Sequence, residues 1–122
     1  MHSLGLFLEP IEIVGTKDSI RLEALVDTGA EGNYISGNSR TIKKIEKLGY
    51  HFFKETDVSM PRRRRPGFYI QYTFSELVLL GRTLLYPEFI LLNDIDYDAI
   101  IGVEVMQTMG MDINMWTHKL TC

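Results

Sequence analysis

A chain of 122 residues, 45% apolar and with a formal net charge of −3, is expected to fold as one domain over residues 1–122 around a single packed core. That balance excludes a disordered polyelectrolyte and leaves no overall basic footprint, so no nucleic-acid partner is expected. The single cysteine, Cys122, and the scattered His2, His51 and His118 exclude an internal disulfide framework and offer no metal-ligand spacing, so no cofactor is implied.

Residues 1–8 are too short and too weakly basic for a secretory leader, and no apolar run reaches the ~20 residues of a bilayer span. A soluble intracellular protein, or a piece of a longer one, with no membrane partner is the expectation. Residues 4–8 form an apolar run closed by Pro10. Proline cannot donate to a sheet ladder, which predicts an edge strand or a terminal arm. Residues 11–14 and 20–24 each alternate apolar and polar side chains around the turn-rich Gly15-Thr16-Lys17-Asp18-Ser19, the pattern of a β-hairpin.

The hairpin leads into Ala24-Leu25-Val26-Asp27-Thr28-Gly29-Ala30, an apolar run that ends abruptly. The run reads as a buried strand and Gly29 as the residue that lets the chain turn. A carboxylate at such a strand end borders low-dielectric surroundings, where ionisation is costly and tunable. The plainer reading of the tripeptide is a strand ending in an Asx turn.

Glu31-Gly32-Asn33 is a further turn, followed by the short strand Tyr34-Ile35-Ser36. Ser39 is read as the N-cap of a helix carrying Ile42, Ile45 and Leu48 on one face, with Gly49 just past its end and Lys43, Lys44 and Lys47 on the solvated face. Residues 50–53 read as a strand. Residues 57–60 and 68–74 read as the arms of a hairpin whose tip, Pro61 to Pro66, carries Arg62, Arg63, Arg64 and Arg65; four adjacent like charges demand water. Residues 77–86 form another hairpin around Gly81-Arg82, and residues 88–92 continue the β pattern. Ala99-Ile100-Ile101-Gly102 is a second apolar run ending in glycine. A short helix over 103–109 and a last strand over 111–116 close the chain. Dense short strands with close turns predict an all-β, closed or sandwich-like fold with one or two short helices.

Three features in this order carry a resemblance: the strand ending Asp27-Thr28-Gly29-Ala30, the mid-chain hairpin with outgoing arm Gly67-Phe68-Tyr69-Ile70, and Ile100-Ile101-Gly102 before a short helix. Together they resemble the retropepsins, the small aspartic proteases of retroviruses and retroelements. Asn33-Tyr34-Ile35-Ser36 and Gly110-Met111-Asp112-Ile113 look closer to reverse-transcribing plant viruses and long-terminal-repeat retrotransposons than to animal retroviruses. The resemblance implies a homodimer with a flap hairpin, Asp27, Thr28 and Gly29 as the catalytic triplet, and no cofactor. It implies contacts to a polypeptide substrate from Ala30, Glu31, Gly67, Phe68, Ile70 and Ile100. It also implies processing of a polyprotein, in the host cell cytoplasm or the virion. Two departures stand out: the flap tip is arginine-rich rather than glycine-rich, and Val103 occupies the place of the arginine that pairs in animal-retroviral enzymes with the acidic residue after the turn, here Glu31.

The chemistry needs two carboxylates sharing one proton around a water. The chain has one Asp-Thr-Gly, so a complete site requires Asp27 from two chains across a two-fold axis. A catalytically silent dimerisation or binding domain on the same fold is the alternative, and a nucleic-acid contact through Arg62 to Arg65 is a third. Asp94, Asp96 and Asp98 open with calcium-loop spacing, but Ala99 and Val105 stand where the loop glycine and the bidentate glutamate belong.

Overall fold

Period-2 alternation lays down two long neighbouring strands. β1 (Leu6–Val14) and β2 (Ser19–Asp27) pair antiparallel over their whole length, from Val14 opposite Ser19 to Leu6 opposite Asp27. Leu22, Ala24 and Val26 of β2 point into the core, while Arg21 and Glu23, which alternate with them, are exposed, as one-sided burial of a pleated strand requires. The computed structural model describes residues 6–49, 52–58, 67–114 and 119–121.

The chain continues through β3 (Tyr34–Ser36), α1 (Ser39–Leu48), β4 (Phe52–Val58), β5 (Gly67–Thr73), β6 (Glu76–Leu79), β7 (Arg82–Leu85), β8 (Glu88–Leu92), β9 (Ala99–Ile101), α2 (Val103–Thr108), β10 (Asp112–Asn114) and β11 (Lys119–Thr121). β1 to β9 form one sheet in the order β4-β5-β8-β3-β9-β2-β1-β6-β7, and β10 pairs with β11. Two pairings are parallel, β2 with β9 and β3 with β8. Tyr72, Phe74 and Phe89 from one end of that order share a single cluster with Leu77 and Leu79 from the other. The sheet therefore curls around its own core. Phe74 is fully buried in that core, with ring centroids 5.9 Å from Tyr72 and 5.8 Å from Phe89, spacings at which aromatic pairs attract.

Pro10 lies inside β1 rather than at its end. β6 covers β1 only from Ile11 to Val14, so Pro10 faces a ladder on the β2 side alone and the missing N–H costs no pairing. The edge-strand expectation holds for the described part of that segment, Leu6 to Pro10, which runs on without a break into residues 11–14 as one strand. α1 is capped by Asn38, not by Ser39. The Asn38 carboxamide accepts from the Thr41 N–H at 2.8 Å, and Ser39 is the first helical residue. Both side chains can cap, and Asn38 is the one with extended backbone, φ −67° and ψ 155°. Gly49 ends the helix at φ 72°, a left-handed conformation that favours glycine.

The mid-chain hairpin is present: β4 and β5 run antiparallel from Phe52 opposite Thr73 to Val58 opposite Gly67. Its arginine tip lies outside the described residues, as do Tyr50 and His51. The expected last strand over 111–116 is present from Asp112 to Asn114, with residues 115 and 116 outside the described residues, and β11 is a strand not anticipated from the sequence. Among the described residues no helix is long and apolar enough to cross a membrane.

Candidate active site

The two apolar runs that end in glycine-containing turns lie side by side. β2 and β9 are parallel, with Ala24 opposite Ala99, Leu25 opposite Ile100 and Val26 opposite Ile101. Asp27 and Gly102 therefore leave the sheet at the same level. Asp27 is half-buried. Its carbonyl accepts from the Ala30 N–H at 3.1 Å, closing a β-turn, and its Oδ1 accepts from the Gly29 N–H at 2.8 Å. That second bond is an Asx turn. The plain turn and a site carboxylate are here one geometry, because the backbone N–H that makes the turn also fixes the orientation of the carboxylate.

Gly102 forms the floor under this turn. A Cβ at Gly102 would collide with the Gly32 carbonyl and lie 2.8 Å from the carbonyls of both Ala30 and Glu31. The neighbouring Val103 N–H donates to the Ala30 carbonyl at 2.8 Å. Every atom in the way is backbone, so no side chain can swing aside. Gly102→Ala is expected to destabilise the fold by about 1–3 kcal/mol, the usual cost of overpacking. It should also displace the Asp27 loop. Thermal unfolding checks the first effect, and a shift of the Gly29 and Ala30 amide resonances checks the second.

Asn33 joins the same junction from the other side. Its Oδ1 accepts from the Gly102 N–H at 3.0 Å, and its Nδ2 donates to the Glu88 carbonyl at 3.2 Å. Its own carbonyl accepts from the Ile90 N–H at 2.9 Å. The sequence places Asn33 in a turn and in the Asn33-Tyr34-Ile35-Ser36 run, and assigns its side chain no role at the site. The available signal was an amide-bearing side chain following a turn, in a chain whose α2 begins at Gly102 with no capping side chain of its own.

The remaining candidates divide by place. Thr28 and Ala30 are half-buried beside Asp27; Gly29 and Glu31 are exposed. Ile100 is half-buried between Leu25 and Tyr34. Gly67, Phe68 and Ile70 lie along β5 opposite Val58, Asp57 and Glu55, in the outgoing arm of the hairpin. Val103 meets the Asp27 loop through its backbone N–H, which donates to the Ala30 carbonyl. Asp98 is engaged structurally: its carboxylate accepts from Arg40 at 3.2 Å, from the Thr41 hydroxyl at 3.4 Å and from the Glu23 N–H at 3.5 Å. Among the described residues no group of three His, Cys, Asp or Glu side chains is placed to hold a metal ion.

No protein-family model and no curated protein matches the sequence. The fold does match solved structures. One is a retropepsin-like aspartic protease from Rickettsia conorii, with a TM-score of 0.61 and 18% identity over 93% of this chain and 80% of that one. Another is the retroviral protease-like domain of Ddi1 from Leishmania major, with a TM-score of 0.58 and 17% identity over 95% of this chain and 85% of that one. The fold of this chain is retropepsin-like.

Proposed function

We propose that this protein is an aspartic endopeptidase whose active site forms from Asp27 of two copies of the chain. The observation that carries the reading is the placement of the lone Asp-Thr-Gly. It ends β2 level with Gly102, on a fold shared with aspartic protease structures. One Asp27 per chain supplies half of a carboxylate pair, and a two-fold axis through the site supplies the other half.

In the paired site the two carboxylates hold one proton between them, because close like charges do not both ionise. The ionised carboxylate takes a proton from a water as its oxygen attacks the scissile carbonyl carbon. The protonated carboxyl gives its proton to the carbonyl oxygen. The tetrahedral diol then collapses: the ionised carboxylate takes a proton from one diol hydroxyl, the C–N bond breaks, and the leaving nitrogen receives the proton of the other carboxyl, which returns the pair to its singly protonated state. Ala30 and Glu31, the half-buried Ile100, and the hairpin arm with Gly67, Phe68 and Ile70 are assigned to the extended substrate. The substrate assigned is a polyprotein of a retroelement or a reverse-transcribing virus, processed in the host cytoplasm or the virion; the order of motifs in the sequence supports that context.

Hydrolysis of a mixed peptide library across pH tests the reading. The expected profile is a bell with an acidic optimum. At high pH the shared proton is lost, and at very low pH no carboxylate remains to act as base. A rate rising steadily into alkaline pH would overturn the carboxylate mechanism. No cleavage at any pH by a folded protein would favour the silent binding domain.

A further inference from the structure

We propose that Asn33 is a positioning residue for Asp27: its side-chain amide clamps the Asp27 loop onto the β9–α2 junction and so sets the height at which the carboxylate is presented. The proposal rests on the peptidase reading.

The loop from Thr28 to Asn33 is fastened at both ends to the same partner. At its start the β2–β9 ladder pairs Val26 with Ile101. At its end the Asn33 Oδ1 takes the N–H of Gly102, the next residue along. Between them the Ala30 carbonyl takes the Val103 N–H. Two successive amides at the start of α2 thus donate into the loop. These N–H groups have no partner within their own helix, and Gly102 has no side chain to cap them.

The other half of the Asn33 amide points to β8. Nδ2 donates to the Glu88 carbonyl, while the Asn33 carbonyl accepts from Ile90. The orientation of the amide is dictated by its neighbours, since Gly102 offers a donor and Glu88 an acceptor. A carboxylate can satisfy only the first of these, and an alkyl side chain neither. The Gly102 bond is part-buried, so its loss leaves that N–H short of both partner and full hydration, whereas the Glu88 carbonyl lies at the surface. Loosening the clamp frees the far end of the loop whose near end holds Asp27 through the Gly29 N–H. Paired-carboxylate chemistry is sensitive to this: a misplacement of about 1 Å can cost on the order of 10²-fold in rate.

The test compares wild type, Asn33→Ala and Asn33→Asp. A protonated aspartic acid donates and accepts much as asparagine does, whereas its ionised form only accepts and sets a charge against the Glu88 carbonyl. Asn33→Asp should therefore match wild type at the acid end and lose kcat as pH rises through its ionisation. The kcat ratio to wild type should fall by about tenfold or more, with KM changing little. Asn33→Ala should be low at every pH. Amide exchange at Gly102 and Val103 should accelerate in Asn33→Ala, and in Asn33→Asp only at the higher pH.

A ratio flat with pH for Asn33→Asp, or full kcat in Asn33→Ala, overturns the positioning role. Equal Gly102 exchange in wild type and Asn33→Ala overturns the clamp itself, whether or not any peptide is cut. A wild-type protein that cuts no peptide overturns the peptidase reading, and the rate part of this proposal with it. If Asn33→Ala does not fold, the pH-dependent ratio of Asn33→Asp still decides the matter.

Discussion

Asp27→Asn is expected to lower peptide turnover by on the order of 10⁴-fold, the scale of losing both acid and base in one substitution. In a symmetric dimer the change removes both carboxylates. An amide neither takes a proton from water nor gives one to the carbonyl at working pH. The fold should survive, because the carboxamide oxygen still accepts the Gly29 N–H that Asp27 Oδ1 accepts at 2.8 Å. The β2–β9 ladder does not involve the side chain. The amide pair carries no charge and needs no shared proton, so dimerisation should no longer depend on the ionisation of this site. The measurement is kcat/KM with thermal unfolding on the same preparations. Wild-type turnover by a folded Asp27→Asn protein would end the aspartic-peptidase reading. Loss of turnover with loss of fold would be uninformative about chemistry, and the unfolding curve separates the two.

Much of this site was legible in the residues because the information is local. Alternation over residues 11–14 and 20–24 gives the hairpin. The break from Val26 into Asp27-Thr28-Gly29 gives the turn, and Ile101-Gly102 before an amphipathic stretch gives the end of β9 and the start of α2. What was not legible is long-range pairing. Nothing in Leu25 or Ile100 says that they lie side by side in parallel strands, or that β3 runs parallel to β8. Such pairings depend on burial across the whole core.

The Asn33 clamp falls in the same class. Within the run Glu31-Gly32-Asn33, an asparagine is an ordinary turn residue. Only the fold brings Gly102 and Glu88 to its two ends. The cap of α1 failed for a smaller reason: Asn38 and Ser39 are adjacent and both can cap, so the choice rests on one ψ angle. Pro10 marked the edge segment, but not that the strand runs on through it into residues 11–14. β1 is paired on both sides from Ile11 onward and on the β2 side alone before that.

The shared site makes activity a property of the pair, and the mixed-protomer experiment tests this most sharply. Wild-type protein combined with about a tenfold excess of Asp27→Asn protomers, at a concentration where dimers form, should lose roughly tenfold of its activity per wild-type chain. Random exchange leaves about one wild-type protomer in eleven with a wild-type partner; the others face an amide across the axis and lack the second carboxylate. Wild type alone, diluted stepwise, should show specific activity that is constant at first and then falls as dimers dissociate. Added Asp27→Asn protein cannot rescue that fall, since the dimers it restores are half-sites. A monomeric enzyme would be indifferent to both manipulations. A tight dimer that exchanges slowly would resist dilution and poison only after incubation, and sedimentation of the same samples distinguishes it from a monomer. Activity unaffected by the excess, in a preparation that sedimentation finds monomeric, would refute the shared site and require a second acid within the chain. The sequence contains no second Asp-Thr-Gly to supply it.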